Sequence, residues 1–223
     1  MVLPPGSRKP VSNLAVLLLP ALACSCFGLA VVVIGGAIYL YVRRGVDDIN
    51  RTWGELGLTT GLTLKPAAAF SQPELTGTYR QRPLHLYTYS VGTHDNRTVY
   101  TAITLAIAGP SGASLEITPA SSIGNVLGRM IKAQDVQIGD PAFDGRFVIK
   151  SDPPEFAARV LGDDRLRARV GEIPAAFRIA IEPGNVEYSR RGLEEDAQLL
   201  VRLFNVLSDL ADQIEQTSPQ PAG

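Results

Sequence analysis

The sequence predicts an α+β protein, with an N-terminal transmembrane helix followed by a mostly antiparallel, partly barrel-like sheet capped by a long C-terminal helix. Three observations lead there. No charged residue lies between Lys9 and Arg43. About eight short segments of strand character follow, several joined by turn residues. Leu193 to Gln216 then closes the chain with apolar residues at helical spacing.

Of 223 residues, 45% are hydrophobic and 19% charged. That balance excludes an intrinsically disordered chain. Only two Cys are present, which excludes a disulfide scaffold. The net charge of −1 offers no basic field, so no nucleic-acid partner is expected.

From Leu14 to Val42 the chain is apolar for 29 residues. A helix of that length covers roughly 43 Å, and a hydrocarbon core needs only about 20 residues. The expectation is one spanning helix with room for tilt, its core near Ala21 to Val42. Pro20 marks a kink or a first turn, Tyr39 and Tyr41 suit an interface, and Arg43-Arg44 stop the span. Two rivals are a signal peptide cut after Ala21-Leu22-Ala23 and a lipoprotein with Cys24 lipidated. Both leave the apolar run Phe27 to Val42 unexplained. Arg43, Arg44 and Arg51 outnumber Arg8 and Lys9, which puts the large domain on the cytoplasmic side. Cys24 and Cys26 read as small membrane-helix residues, with acylation or disulfide-linked dimerisation as the alternative. The expected division is residues 1–13 as a flank, 14–44 as the membrane helix, 45–217 as the α+β domain and 218–223 as a flexible tail.

Val46, Ile49, Trp53 and Leu56 recur at spacings of three and four, giving a short helix that docks through Trp53. Leu62 to Leu64 is a short strand. Leu75 to Tyr79 and Leu84 to Val91 flank an Arg80-Gln81-Arg82 turn. Arg97 to Ala108 follows a five-residue loop, and Val99, Thr101, Ile103, Leu105 and Ile107 share one face. Ser114 to Thr118 is a strand, Ser121 to Lys132 a helix, and Arg146 to Lys150 a strand. Pro153 to Leu161 and Asp163 to Val170 are helices. Phe177 to Glu182 and Asn185 to Arg190 form a hairpin about Pro183-Gly184, a type II turn signal. In the final helix Leu193, Leu200, Leu207 and Ile214 recur every seven residues. Leu199, Leu203, Val206 and Leu210 widen that stripe beyond a coiled-coil seam, which favours packing on the sheet over dimerisation. In element order the domain resembles pleckstrin-homology-like folds.

The candidate sites are few. With residue numbers summing to 188 across the hairpin, His85, Tyr87 and Tyr89 face Ile103, Thr101 and Val99 and join the core; an aromatic ligand wall is the alternative. His94-Asp95 has no Ser or Cys partner at a recognisable elbow. Asp135, Asp140 and Asp144, beside Gly139 and Gly145, are carboxylates for a Ca²⁺ loop or a hydrolase, but their spacing is not that of an EF-hand and suits turn chemistry. Arg159, Arg165, Arg167 and Arg169 form a basic cluster, either a solvated face or a lipid-headgroup contact. Gly124-x-x-x-Gly128 lacks the Lys-Ser/Thr of a phosphate loop. No catalytic, cofactor-binding or metal-ligating residue is assigned, and no cofactor is expected.

Trp53-Gly-Glu-Leu-Gly-Leu58, Leu75-Thr-Gly-Thr-Tyr79 with Arg82, and Gly139-Asp-Pro-Ala-Phe-Asp144 through Phe147-Val-Ile-Lys-Ser-Asp152 and Phe156 resemble bacterial membrane-anchored proteins of unknown function. The resemblance implies a hydrophobic anchor before an α+β domain. It carries no assigned activity and no catalytic residue. The functional expectation is a non-enzymatic binding or scaffold module at the membrane surface, contacting the bilayer through its N-terminal helix and a protein or lipid-headgroup partner through its domain. The alternatives are a carboxylate-dependent hydrolase and a structural dimer through the C-terminal helix.

Overall fold

The computed structural model describes residues 13–68, 71–93, 96–108, 112–122 and 135–217. By compactness the chain falls into two units, Met1–Asp47 and Asp48–Gly223. Helix α1 runs Asn13–Thr60, joining the expected membrane helix and the expected short helix Val46–Leu56 in one element. The expected membrane helix, residues 14–44, lies within α1. There Val32, Val33, Ile34 and Leu40 are exposed by 73, 59, 60 and 55%. The side chains of residues 13–31, 38, 41 and 42 lie outside the described set. Among the described residues, no helix is long and apolar enough to cross a membrane.

The second unit contains eight strands: β1 Thr63–Lys65, β2 Glu74–Tyr79, β3 Arg82–Val91, β4 Thr98–Ala106, β5 Ser114–Pro119, β6 Phe147–Asp152, β7 Phe177–Glu182 and β8 Asn185–Arg191. They form one antiparallel sheet in the order β1-β2-β3-β4-β8-β7-β5-β6. The sheet is open, which corrects the partly barrel-like expectation. Its two ends, β1 and β6, do not pair with each other. Val136 N–H instead donates to the Ile149 carbonyl at 2.8 Å, so residues beside Asp135 occupy part of the β6 edge.

Period-two alternation gives this sheet two unlike faces. Directly paired residues Leu64, Leu75, Leu86, Ile103, Tyr188, Ile179, Ile117 and Ile149 cross all eight strands in one row. The adjacent row, on the other face, is Thr63, Thr76, His85, Thr104, Glu187, Ala180, Glu116 and Lys150. The apolar row must be removed from water, and helices cover it. They are the end of α1, α2 (Pro141–Arg146), α3 (Pro154–Val160), α4 (Asp164–Gly171) and α5 (Ala197–Thr217). Their buried residues belong to the same core as the inward strand residues, with Trp53, Phe156 and Phe204 among the largest.

The helix ends follow local chemistry. Asp140 caps α2, accepting from Ala142 N–H and Phe143 N–H, and Pro141 fills the first turn. Residues 140–141 were expected only as a turn. Helix α5 starts at Ala197 rather than near Leu193. Gly192 sits at φ +100°, and the Asp196 carboxylate accepts from Leu199 N–H as the cap. Ten residues of α5 are buried within the chain, from Leu199 to Ile214. Its apolar stripe packs on β4, β8 and helices α3 and α4 within the chain, the intramolecular packing that the width of the stripe favours. The expected helix Ser121–Lys132 lies almost wholly outside the described residues; its start is a 3₁₀ turn, Ala120–Ser122. The expected tail, residues 218–223, and residues 1–12 also lie outside them.

The β2–β3 turn is tight. Arg80 and Gln81 both have positive φ, 46° and 67°, in a two-residue hairpin closed by the Tyr79–Arg82 pair. Neither is Asn or Gly, the usual residues there. Ion pairs to α5 hold the turn: Arg80 Nη1 lies 2.8 Å from Asp209, and Arg82 Nη2 lies 2.7 Å from both Asp212 and Glu215.

Candidate functional site

The face of the sheet away from the described helices is where the structure departs most from the sequence reading. The β3–β4 register sums to 189, with Leu84 opposite Leu105 and Val91 opposite Thr98. That is one residue from the expected register. A one-residue slip moves every side chain to the other face. Leu84, Leu86 and Thr88 therefore point into the core, and His85, Tyr87 and Tyr89 leave it. The alternative reading of these three as an aromatic wall thus gains its structural premise.

The rings form a continuous row. His85 and Tyr87 stack at 4.5 Å between centroids, Tyr87 and Tyr89 tilt at 6.1 Å, and Tyr89 stacks on Tyr100 of the next strand at 5.3 Å. Ala102, opposite Tyr87, is small enough for the rings to lie over β4. The rings are half-buried, so their outer edges meet solvent. Burial pushes the Tyr89 phenol up, with a hydrogen bond to Ser189 pulling the other way.

Charged side chains flank the row. On the β1–β2 side, Lys65 lies 3.1 Å from Glu74, and His85 Nε2 lies 3.7 Å from the same carboxylate. The Lys65 hydrogen bond holds the Glu74 carboxyl below its ordinary range. On the β5–β7 side, Arg178 meets Glu116 at 3.0 Å and Glu187 at 3.9 Å, and Lys150 lies 3.9 Å from Glu116. These three strands line an open cleft of about 420 Å³ with Ser114, Ser151, Asp152 and Glu182. The rings supply stacking and apolar contact, and the ion-paired rim supplies donors and acceptors. Such a face suits an amphiphilic ligand with a polar, hydroxyl-rich or charged head.

A second cleft, of about 590 Å³, opens where the β2–β3 turn meets α5. Arg82 dominates it. Its guanidinium is gripped by Glu215 and Asp212, and Glu215 also accepts from Ala108 N–H at 3.1 Å. The Arg82 hydrogen bond is the main influence that holds the Glu215 carboxyl below its ordinary range. This arrangement fastens β3, β4 and α5 together.

Each of the three aspartates accepts from backbone amides of its own neighbourhood. Asp135 Oδ1 accepts from Ile149 N–H at 2.6 Å. Asp140 caps α2 and binds Arg167 Nε at 3.0 Å, and the α2 amides, Phe143 first, hold its carboxyl low. Asp144 accepts from Ile138 and Gly139 N–H at 3.1 Å each. All three serve the backbone around α2 and β6. Among the described residues, no three His, Cys, Asp or Glu side chains gather to hold a metal ion. The arginine cluster also divides. Arg167 is taken up by Asp140, Asp164 and the Leu161 carbonyl, and Arg169 pairs with Asp209. Arg159 and Arg165 are exposed. His94-Asp95 and Gly124 to Gly128 lie outside the described residues, and so do the side chains of Cys24 and Cys26.

Sequence reasoning missed the Glu116–Arg178–Lys150 group and the Arg82 clamp. Alternation does mark Glu116, Arg178 and Lys150 as outward residues of their strands. Their meeting depends on the order β7-β5-β6, which no local pattern encodes.

No protein-family model matches the chain, and no curated protein matches it. Among solved structures, the crystal structure of the mycobacterial trehalose monomycolate transport factor A, TtfA, is similar, with a TM-score of 0.54 at 12% identity. The similarity covers 78% of this chain and 98% of that one. At this identity the likeness is one of fold.

Proposed function

We propose that this chain is a single-pass membrane protein whose α+β domain is a non-enzymatic module binding a lipid-linked ligand at the membrane surface. One observation carries the binding reading: the row His85–Tyr87–Tyr89–Tyr100 lies on the sheet face opposite the described helices, bordered by paired charges. The tether is supported by the 29 uncharged residues Leu14 to Val42 and by the exposure of Val32, Val33, Ile34 and Leu40. The resemblance to membrane-anchored bacterial proteins agrees with it. Arg43, Arg44 and Arg51 against Arg8 and Lys9 favour a cytoplasmic domain. The neighbour of like fold is named for transport of trehalose monomycolate, a sugar-headed lipid. Carried to this chain as part of the proposal, that name selects a glycolipid over a protein partner.

The test is calorimetric titration of the full chain in nanodiscs with a short-chain trehalose monoester, using the corresponding free fatty acid as control. The expected result is saturable binding of the ester, weakened about tenfold by joint Tyr87→Ser and Tyr89→Ser substitution. Equal binding of ester and fatty acid, or no effect of the substitutions, contradicts the reading.

A further inference from the structure

We propose that one end of the sheet rests on an anionic bilayer, contacting it through Val91, Arg97, Arg191 and Leu193. This surface rests on the membrane tether proposed above. It lies at the strand ends, apart from the aromatic row.

Hydrogen bonding identifies the end. Trp53 Nε1 donates to the Glu194 carbonyl at 3.0 Å, and Asn50 exchanges side-chain hydrogen bonds with the backbone of Ala67. Gly192 N–H donates to the Val99 carbonyl at 2.8 Å, and Val91 pairs with Thr98. The first core residues of α1, the β3–β4 connection and the β8–α5 connection are therefore neighbours. The opposite end holds the Arg80-Gln81 turn, the Gly184 turn bonded to Ile107, and the α5 C-terminus bonded at Ala108.

Chain length then sets which end meets the lipid. Five residues lie between Val42 and Asp48, so the two are at most about 22 Å apart even with that stretch fully extended. A nine-residue strand such as β4 is itself roughly 30 Å long. The end holding Ile49 and Trp53 is thus the one kept close to the membrane.

Its chemistry fits that position. Val91 is 54% exposed and Leu193 39%. Arg51, Lys65 and Arg190 are paired with Asp48, Glu74 and Glu194. Arg97 and Arg191 are exposed, and among the described residues neither has a carboxylate within ion-pair distance. Glu195 is the exposed acid beside them, and Asp196 is engaged as the α5 cap. Arg43 and Arg44 outnumber Asp47 in the connecting residues. Two exposed apolar side chains beside two arginines without a carboxylate at ion-pair distance suit shallow contact with anionic headgroups.

The test uses the full chain with Cys24→Ser and Cys26→Ser, labelled with an environment-sensitive fluorophore at Val91→Cys, at Leu193→Cys or, as reference, at the exposed far-end position Gln216→Cys. The chain is reconstituted into phosphatidylcholine–phosphatidylglycerol vesicles carrying nitroxide lipids. The expected result is quenching at positions 91 and 193 but not at 216. Arg97→Glu and Arg191→Glu should each lower the surface-bound population about fivefold while flotation persists. A chain that floats with its vesicles, yet is quenched equally at all three positions, overturns this surface and leaves the tether standing. A chain that does not float overturns the tether, and this surface with it.

Discussion

The indole of Trp53 and the backbone of Glu194 are joined by a 3.0 Å hydrogen bond across 141 positions of sequence. Trp53 is fully buried. Its ring fixes the end of α1 against the core, and its N–H finds one of the carbonyls left over where the chain passes from β8 to α5. Thr101 Oγ1 secures the same connection, donating to the Gly192 carbonyl and accepting from Glu194 N–H. Trp53→Ala should therefore destabilise the protein by about 3–5 kcal/mol. Trp53→Phe keeps most of the packing and should cost roughly 1–2 kcal/mol. Chemical denaturation of both variants checks this, and equal losses would contradict a separate role for the hydrogen bond.

The observed β3 register makes an opposite prediction for adjacent residues. Leu86 is buried and His85 is not. Leu86→Ala should cost about 2–5 kcal/mol, and Tyr87→Ser only about 1 kcal/mol. Were the register one residue different, the two effects would exchange. Melting curves of the two variants decide it.

Stability should fall in acid, and Arg82 should be one reason. Because Arg82 holds the Glu215 carboxyl low in the folded state, ionised Glu215 stabilises the fold above its unfolded value near 4.5. That stabilisation is lost as pH drops through the depressed folded value. Asp140 acts with the same sign. The melting temperature should be nearly flat from about pH 7 to 5 and decline below about 4.5. Arg82→Gln should lower stability by about 1–3 kcal/mol near neutrality, with the gap from wild type narrowing in acid. A constant gap would show that the clamp is not ionic.

Asp140 and Asp144 should behave as structural residues. Asp140→Ala removes a helix cap and an Arg167 partner and should lower the melting temperature. Asp144→Asn leaves an oxygen for one of the two amides it now serves and should cost less. Thermal shift measures both. The prediction for the titration with the trehalose monoester is unchanged affinity in either variant.

Much of the fold was legible because burial imposes period. All eight strands and helices α3, α4 and α5 were legible to within about four residues of their ends, the strands and α5 through alternation or three-and-four spacing. What failed depended on relations between segments. In β3, both Leu84/Leu86 and Tyr87/Tyr89 are good strand residues, so the faces are separated only by a loop length. An assumed five-residue loop chose the wrong one. Helix α2 is six residues containing Pro, Asp and Gly, too short for a period; Asp140-Pro141 was its only signal. Openness of the sheet rests on whether β1 meets β6, which neither strand's composition states. The aspartates suggested chemistry by proximity in sequence, and their carboxylates are instead directed at backbone amides.

The tether is tested most directly by fractionating cells that express the full chain. After alkaline carbonate extraction, the account predicts an intact protein in the membrane pellet, with Leu14 to Val42 retained. A mature chain beginning at or beyond Cys24 and recovered in the supernatant would contradict it.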